Sequence, residues 1–480
     1  MGRENILIVS YDFPPALAGV RRVVKFARYL PEFGYDPIVL AATPDPMQPH
    51  DYETLREIRR QGYPVYRTPA LDLNHVRGAL ASIPEKYRFT KETLLSHLNE
   101  PPFPGEPIAA EGEATDEDKG KHRGRWGGWL GRRLGSTLRR WLYLPDDRVG
   151  WLPFAWPQAV RVLEGRPVRY VMTTSYPNST HLLGAMLKRR YKVLWVADFR
   201  DGWVTNPYFA DYPTPLHRRR NEKWEQQVAR EADLLLTVSE PIAAHLRELS
   251  GQPAKVHVIP NGYDPEDFIN LPPLRFDRFT LAYTGTLFGQ RSPEPLFAAM
   301  RILFDKYPQM RSEFQAVFLT QWQPEHLEMI ERYGLSDNIT SYGILPYRTA
   351  LQIQRNADVL VAIEGPAPHG EMMLTQKVFE YLACGRPILA ITPENALAAL
   401  VRSTRAGFVV APEDVERLVE KLYELFTGTA EFSPKVDMIK KYQRREQTRF
   451  LASLLDELRG VRRNTRRRHA AVGGVSSGAE

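Results

Sequence analysis

Short, unbroken apolar runs alternate with stretches of helical periodicity along most of the chain, and this alternation restricts the fold more than any other feature. Ile6–Val9 is strand-like, Val20, Val23, Val24, Ala27 and Leu30 recur at helical spacing, Gly34 closes that segment, and Ile38–Leu40 is again strand-like. A strand buried on both faces reads as a continuous apolar run, and a helix joining two such strands makes them parallel. The start of the chain therefore predicts one right-handed β-α-β unit. The pattern resumes with strands at 168–172, 193–197, 234–238 and 256–259 and helices over 180–190 and 216–230. An aperiodic stretch at 268–279, containing Pro and Arg, interrupts it. Beyond that stretch come strands at 280–284, 316–319, 339–342, 359–363, 388–391 and 408–410, with helices over 294–306, 324–333, 347–356, 375–384 and 412–426. The fold class is α/β: two open sheets in succession, an N-terminal domain over 1–267, a linker at 268–279 and a C-terminal domain over 280–432.

An insertion at about 75–150 interrupts the first domain. Residues 99–120 combine prolines with an acidic cluster (Glu106, Glu111, Glu113, Asp116, Glu117, Asp118) and read as a mobile loop. Directly after it, Trp126, Trp129, Leu130, Leu134, Leu138, Trp141 and Leu142 recur at spacings of three and four, with Arg132, Arg133, Arg139 and Arg140 between them. Two readings of 126–142 stand open: a basic helix lying in an anionic lipid interface, or a helix packed on the body with its arginines in solvent.

Charge is unevenly spread. Of a net +7, the segment 121–143 contributes seven Lys or Arg and no acid, and 459–480 contributes six arginines and one glutamate, leaving an acidic remainder. Nucleic acid and an anionic membrane surface are the two candidate partners for such charge; nucleic acid rests on the arginine tail alone and is the less expected of the two. The tail, 459–480, is expected to be disordered. A single cysteine, Cys384, excludes an intramolecular disulfide and fits a reducing compartment. The first residues lack the apolar core of a signal peptide, and no uncharged run approaches the length of a membrane span. A cytoplasmic protein, peripheral at most to the inner face of the cell membrane, is the expectation.

In open parallel sheets ligands bind beyond the carboxyl ends of the strands, so chemistry should sit just after strands. Four segments meet that test. In the first, Tyr11–Arg22, Gly19 permits close backbone approach and the next helix offers free N–H groups, flanked by Arg21 and Arg22. Plain turn chemistry explains the same residues. The second, Asp198-Phe199-Arg200-Asp201-Gly202-Trp203, sets charges against a buried strand, which is costly unless they pair with one another or meet a ligand. In the third, Tyr283–Ser292, Gly285, Thr286 and Arg291 have the composition of a diphosphate-binding loop. In the fourth, Glu371–Pro387, Thr375 is placed to cap a helix whose start suits a phosphate, Lys377 to neutralise it, and Glu380 to bridge two adjacent hydroxyls such as those of a ribose. Cys384 reads as a small buried residue, not a nucleophile.

With these segments and Ile259-Pro260-Asn261-Gly262-Tyr263-Asp264 in order, the chain resembles the GT-B-fold glycosyltransferases, and among them the retaining family 4. The resemblance implies two facing Rossmann-like domains, with a C-terminal helix at 433–458 crossing back to the first. It implies a nucleoside diphosphate sugar as donor, held by the second domain through Arg291, Thr375, Lys377 and Glu380, and a hydroxyl acceptor near Gly19 and Asp201. No cofactor and no metal are expected. Catalytic candidates are Asp201, Arg200 and Arg291. Two features depart from the family: Met372 stands where a first glutamate is common, with Glu371 beside it, and Thr286 stands where an arginine is common. The implied activity is hexosyl transfer with retention, in surface polysaccharide or glycolipid synthesis, with a lipid-linked acceptor favoured if 126–142 meets lipid. The rival expectations are a non-catalytic GT-B binding or scaffold protein and a sugar-nucleotide epimerase.

Overall fold

The computed structural model describes residues 3–16, 19–44, 50–71, 144–206, 212–287, 291–365 and 374–473. Its contacts divide the chain into two compact units: Met1–Ser82 with Tyr143–Pro260 and Tyr442–Glu480, and a second that includes Asn261–Lys441.

The first unit holds strands β1 (Glu4–Val9), β2 (Tyr35–Ala42), β3 (Val65–Thr68), β4 (Val168–Ser175), β5 (Leu194–Phe199), β6 (Leu234–Thr237) and β7 (Val256–Val258). Its helices are α1 (Arg21–Tyr29), α2 (Tyr52–Gln61), α3 (Leu152–Gly165), α4 (Ser179–Tyr191), α5 (Pro215–Glu231) and α6 (Glu240–Ser250). All pairings are parallel, in the order β3-β2-β1-β4-β5-β6-β7. The chain moves outward from β1 to β3, then returns to place β4 on the other side of β1. That reversal is a topological switch point, where the loops after β1 and β4 diverge and leave a crevice.

The second unit repeats the scheme. Its strands are β8 (Phe279–Thr284), β9 (Phe314–Leu319), β10 (Ile339–Ser341), β11 (Val359–Ile363), β12 (Ile388–Ile391) and β13 (Gly407–Val410). Its helices are α7 (Glu294–Lys306), α8 (Met310–Glu313), α9 (Pro324–Arg332), α10 (Tyr347–Asn356), α11 (Gln376–Cys384), α12 (Ala396–Thr404), α13 (Val415–Thr427) and α14 (Val436–Lys440). The parallel order is β10-β9-β8-β11-β12-β13, so its switch point lies between β8 and β11.

The last helix, α15 (Arg444–Gly473), belongs to the first unit. It starts beside the segment that follows β7, where Gln447 Nε2 donates to Pro260 O at 3.0 Å. It then descends to the amino ends of the strands: Tyr35 Oη donates to Asp456 at 2.8 Å, and Arg459 meets Glu4 at 3.1 Å. Leu451, Ala452, Leu454 and Leu455 join α1 and the central strands in the first unit's hydrophobic core. Residues 459–473 continue the helix. That stretch has no proline and is rich in Arg, a residue that favours helices. The insertion elements expected at 99–120 and 126–142 lie outside the described residues.

Candidate functional site

In the second unit, the residues singled out from sequence gather at the switch point. Gly285 and Thr286 leave β8, Glu364 leaves β11, and Thr375 and Lys377 open α11; together with Tyr283, Arg291 and Tyr381 they line one small pocket. The loop is fixed from below, with Thr284 N donating to Tyr381 Oη at 2.8 Å and Gly285 N to Leu319 O at 3.2 Å. Gly285 is required by crowding, since a Cβ there would stand 2.9 Å from Tyr283 Oη and 3.3 Å from Lys377 Nζ. The lysine ammonium therefore sits directly against the loop backbone.

Thr375 occupies the N-cap position of α11 with extended backbone (φ −60°, ψ 138°). Its side chain makes no capping hydrogen bond, which corrects the expectation of a threonine cap. With the hydroxyl not spent on the cap, the first N–H groups of α11 offer the partial positive charge that favours an anion. Burial holds Lys377 below the usual lysine range, Glu380 opposes that shift, and Arg291 reinforces it. Glu380 itself is 5% exposed, on the inner side of α11. Arg291 is engaged: Nε and Nη2 donate to the two carboxylate oxygens of Glu364 at 2.8 and 2.9 Å. Glu364 was not singled out from the sequence, although it directly follows an apolar strand and so meets the criterion applied to the other segments. Burial and nearby Glu380 push the Cys384 thiol up, which makes it a poor nucleophile. Glu371 lies outside the described residues.

In the first unit, charged residues hold three strand ends together. Asp198, at the end of β5, is wholly buried and accepts from Arg22 of α1 and from Thr174 Oγ1 at 3.1 Å. Arg22 Nη1 also donates to Ile259 O at 2.7 Å and Pro260 O at 3.1 Å, beyond β7. Asp198 therefore finds its partner outside its own segment, in Arg22. Arg200 instead spends its guanidinium on main-chain carbonyls, those of Ser175, Gly19 and Tyr176. It thereby ties the loop after β1 to the end of β4. Gly19 has φ +69°, and a Cβ would lie 3.3 Å from Arg200 Nη1, so glycine serves both conformation and close approach. Burial raises the Asp201 carboxyl, Arg200 partly reverses this, and Asp198 adds to it. Gly19, Arg200 and Asp201 thus share one end of the first sheet.

The comparisons agree with this geometry. A family model described as "Glycosyl transferase 4-like domain" matches residues 114–262, and one described as "Glycosyl transferases group 1" matches 280–428. Together they reach across more than half of the chain. The colanic acid biosynthesis glycosyltransferase WcaL of Salmonella typhimurium, a function marked putative in its name, is 24% identical over 204 residues, 42% of this chain and 49% of that protein. The D-inositol 3-phosphate glycosyltransferase of Kribbella flavida is 27% identical over 239 residues, 46% of this chain and 54% of that protein. The chain thus spans about half the length of the curated relatives it matches. Among solved structures, Anabaena HepE in complex with UDP and glucose aligns with a TM-score of 0.51 at 13% identity, covering 96% of this chain and 99% of that one. At that identity the likeness is one of fold.

Proposed function

The chain belongs to the GT-B-fold glycosyltransferases, and we propose that it moves a sugar from a nucleoside diphosphate sugar to a hydroxyl acceptor with retention of configuration. The observation that carries this reading is the convergence of Lys377, Arg291 and the start of α11 on one pocket at the switch point of the second sheet. Cleaving a glycosidic bond to a diphosphate builds negative charge on the departing phosphate oxygens. Cations and a helix N-terminus that face that charge lower the barrier. In this reading Gly285 and Thr286 bring main-chain and hydroxyl donors to the phosphates, and Glu380 receives the ribose hydroxyls. Glu371 is kept as a candidate for the sugar itself.

In the first unit, Gly19 and Asp201 are proposed to meet the acceptor. A carboxyl raised by burial is suited to taking the acceptor proton, and Arg200 holds its loop in place. Surface polysaccharide or glycolipid is the proposed product class; the similarity to a colanic acid biosynthesis glycosyltransferase supports a biosynthetic role of this kind, and the HepE complex makes UDP-sugars the first donors to try. A lipid-linked acceptor, peripheral membrane contact through 126–142 and a cytoplasmic location complete the reading. Among the described residues no helix is long and apolar enough to cross a membrane.

Calorimetric titration with UDP, GDP, ADP and their sugars, beside a Glu380→Ala variant, tests the donor site. Selective binding of one nucleotide, weakened in a folded variant, is expected. Failure of every nucleotide to bind a folded protein would instead mark a scaffold, and product analysis would separate transfer from epimerisation.

A further inference from the structure

The pocket of the second unit brings cations and carboxylates together. Two cations face it, Arg291 and Lys377, and two carboxylates accompany them, Glu364 and Glu380. The formal charges balance, so the attraction for an anion comes from the start of α11 and from whichever cation can be released. Glu380 lies on the buried side of α11, 5% exposed. Glu364 differs in position: it lines the pocket and holds the Arg291 guanidinium through both carboxylate oxygens, with side chains 14% and 17% exposed. A bidentate guanidinium–carboxylate pair uses the same fork that a phosphate would use.

We propose that Glu364 is a built-in competitor for Arg291, so that a diphosphate enters by exchanging one ion pair for another. The inference rests on reading the pocket as a diphosphate site. A first phosphate anchored by Lys377 and the start of α11 places the second beside Arg291 at high effective concentration, which lets it displace the carboxylate. The same carboxylate then competes with the spent diphosphate for the guanidinium. Product departure limits many enzymes, and a competitor positioned in this way shortens the product's residence. The opposite role, a carboxylate that merely holds Arg291 ready, predicts the opposite sign when it is removed.

The test uses the full-length protein and an isosteric Glu364→Gln variant, with inorganic pyrophosphate as calorimetric probe and thermal unfolding as the check on folding. The variant is expected to bind pyrophosphate roughly tenfold more tightly, the scale of one partly buried charge contact. Equal or weaker binding by the folded variant, or no binding by either protein, overturns the proposal. UDP, GDP and ADP titrated into the same two proteins separate the two layers of the reading. A gain for pyrophosphate with no nucleotide bound by either protein leaves the competitor standing and removes the donor site. A nucleotide bound alike by both leaves the donor site standing and removes the competitor.

Discussion

Asp198, completely buried at the end of β5, takes the guanidinium of Arg22 through Nε and Nη2 at 2.8–3.1 Å, while Nη1 of the same arginine reaches the carbonyls beyond β7. One side chain of α1 thereby clamps two strand ends and satisfies four oxygen atoms. Removing either partner strands a charge where water does not compensate it. Asp198→Asn and Arg22→Met are each expected to cost about 3–5 kcal/mol in urea denaturation. The double variant Arg22→Met with Asp198→Leu should cost clearly less than the two single changes added, and strict additivity would refute the clamp.

Lys377 supplies a different kind of test. Its ammonium is held below the ordinary lysine range by burial, so it loses its proton at a lower pH than an exposed lysine would. Anion binding needs the charged form, and affinity for a nucleoside diphosphate should therefore fall as pH rises, beginning below the usual lysine range. Lys377→Met should weaken binding by roughly 10- to 100-fold and abolish that pH dependence. A variant that keeps the wild-type pH profile would show that another group titrates.

Two buried groups of the first unit pull acid stability in opposite directions. Burial pushes the Asp146 carboxyl up to about 6, despite hydrogen bonds from Ser179 and Arg148, and depresses His181 to about 3. A raised carboxyl binds its proton more readily folded than unfolded, so Asp146 stabilises the fold less as pH climbs from about 4 to about 6. A lowered imidazole does the reverse, and His181 costs stability as pH falls below about 6.5. Asp146→Asn should gain on the wild type across the first interval, by on the order of 2 kcal/mol in denaturant melts. His181→Phe, packed against Phe199, whose ring lies 4.5 Å away, should lose less stability on acidification than the wild type. Parallel pH profiles for wild type and both variants would contradict these assignments.

Helix α4 rests on β5 through Gly184, where a Cβ would overlap the Trp195 indole nitrogen and approach Thr173 Cγ2 at 2.8 Å. That indole donates to Thr173 Oγ1 at 2.8 Å, and the same oxygen meets His181 Nδ1 at 2.8 Å, so the ring cannot yield cheaply. Gly184→Ala should cost about 1–3 kcal/mol by overpacking. Unchanged thermal unfolding would show that the helix slides to make room.

Most of the architecture was legible because buried parallel strands write themselves as apolar runs. Val359–Ile363 and Ile388–Ile391 match their predicted limits, and Tyr347–Asn356 does so among helices. Elements with a diluted signal were not read. Helix α3 carries Pro153 in its first turn and Pro157 within it, and α2 buries only Thr54 and Ile58. In the site, position after a strand singled out Gly285, Thr286, Arg291, Asp198 and Arg200, which the fold sets at or beyond the ends of β8 and β5. Pairing was not legible, because partners such as Arg22 and Asp198 are 176 residues apart and only the fold brings them together. Glu364 shows the limit of reading by residue type: a lone glutamate after a strand acquires meaning only from the arginine it holds.

Helix α15 has a consequence for the order in which the protein is made. Leu451, Ala452, Leu454 and Leu455, which complete the first unit's core, leave the ribosome after every residue of α7–α14. The second unit thus has all its core residues while the first still exposes an apolar stripe along α1. The N-terminal half is then the last to close, which reverses the usual vectorial order of domain folding. A nascent chain stalled before Tyr442 should carry a protease-resistant second half and a first half that chaperones still recognise.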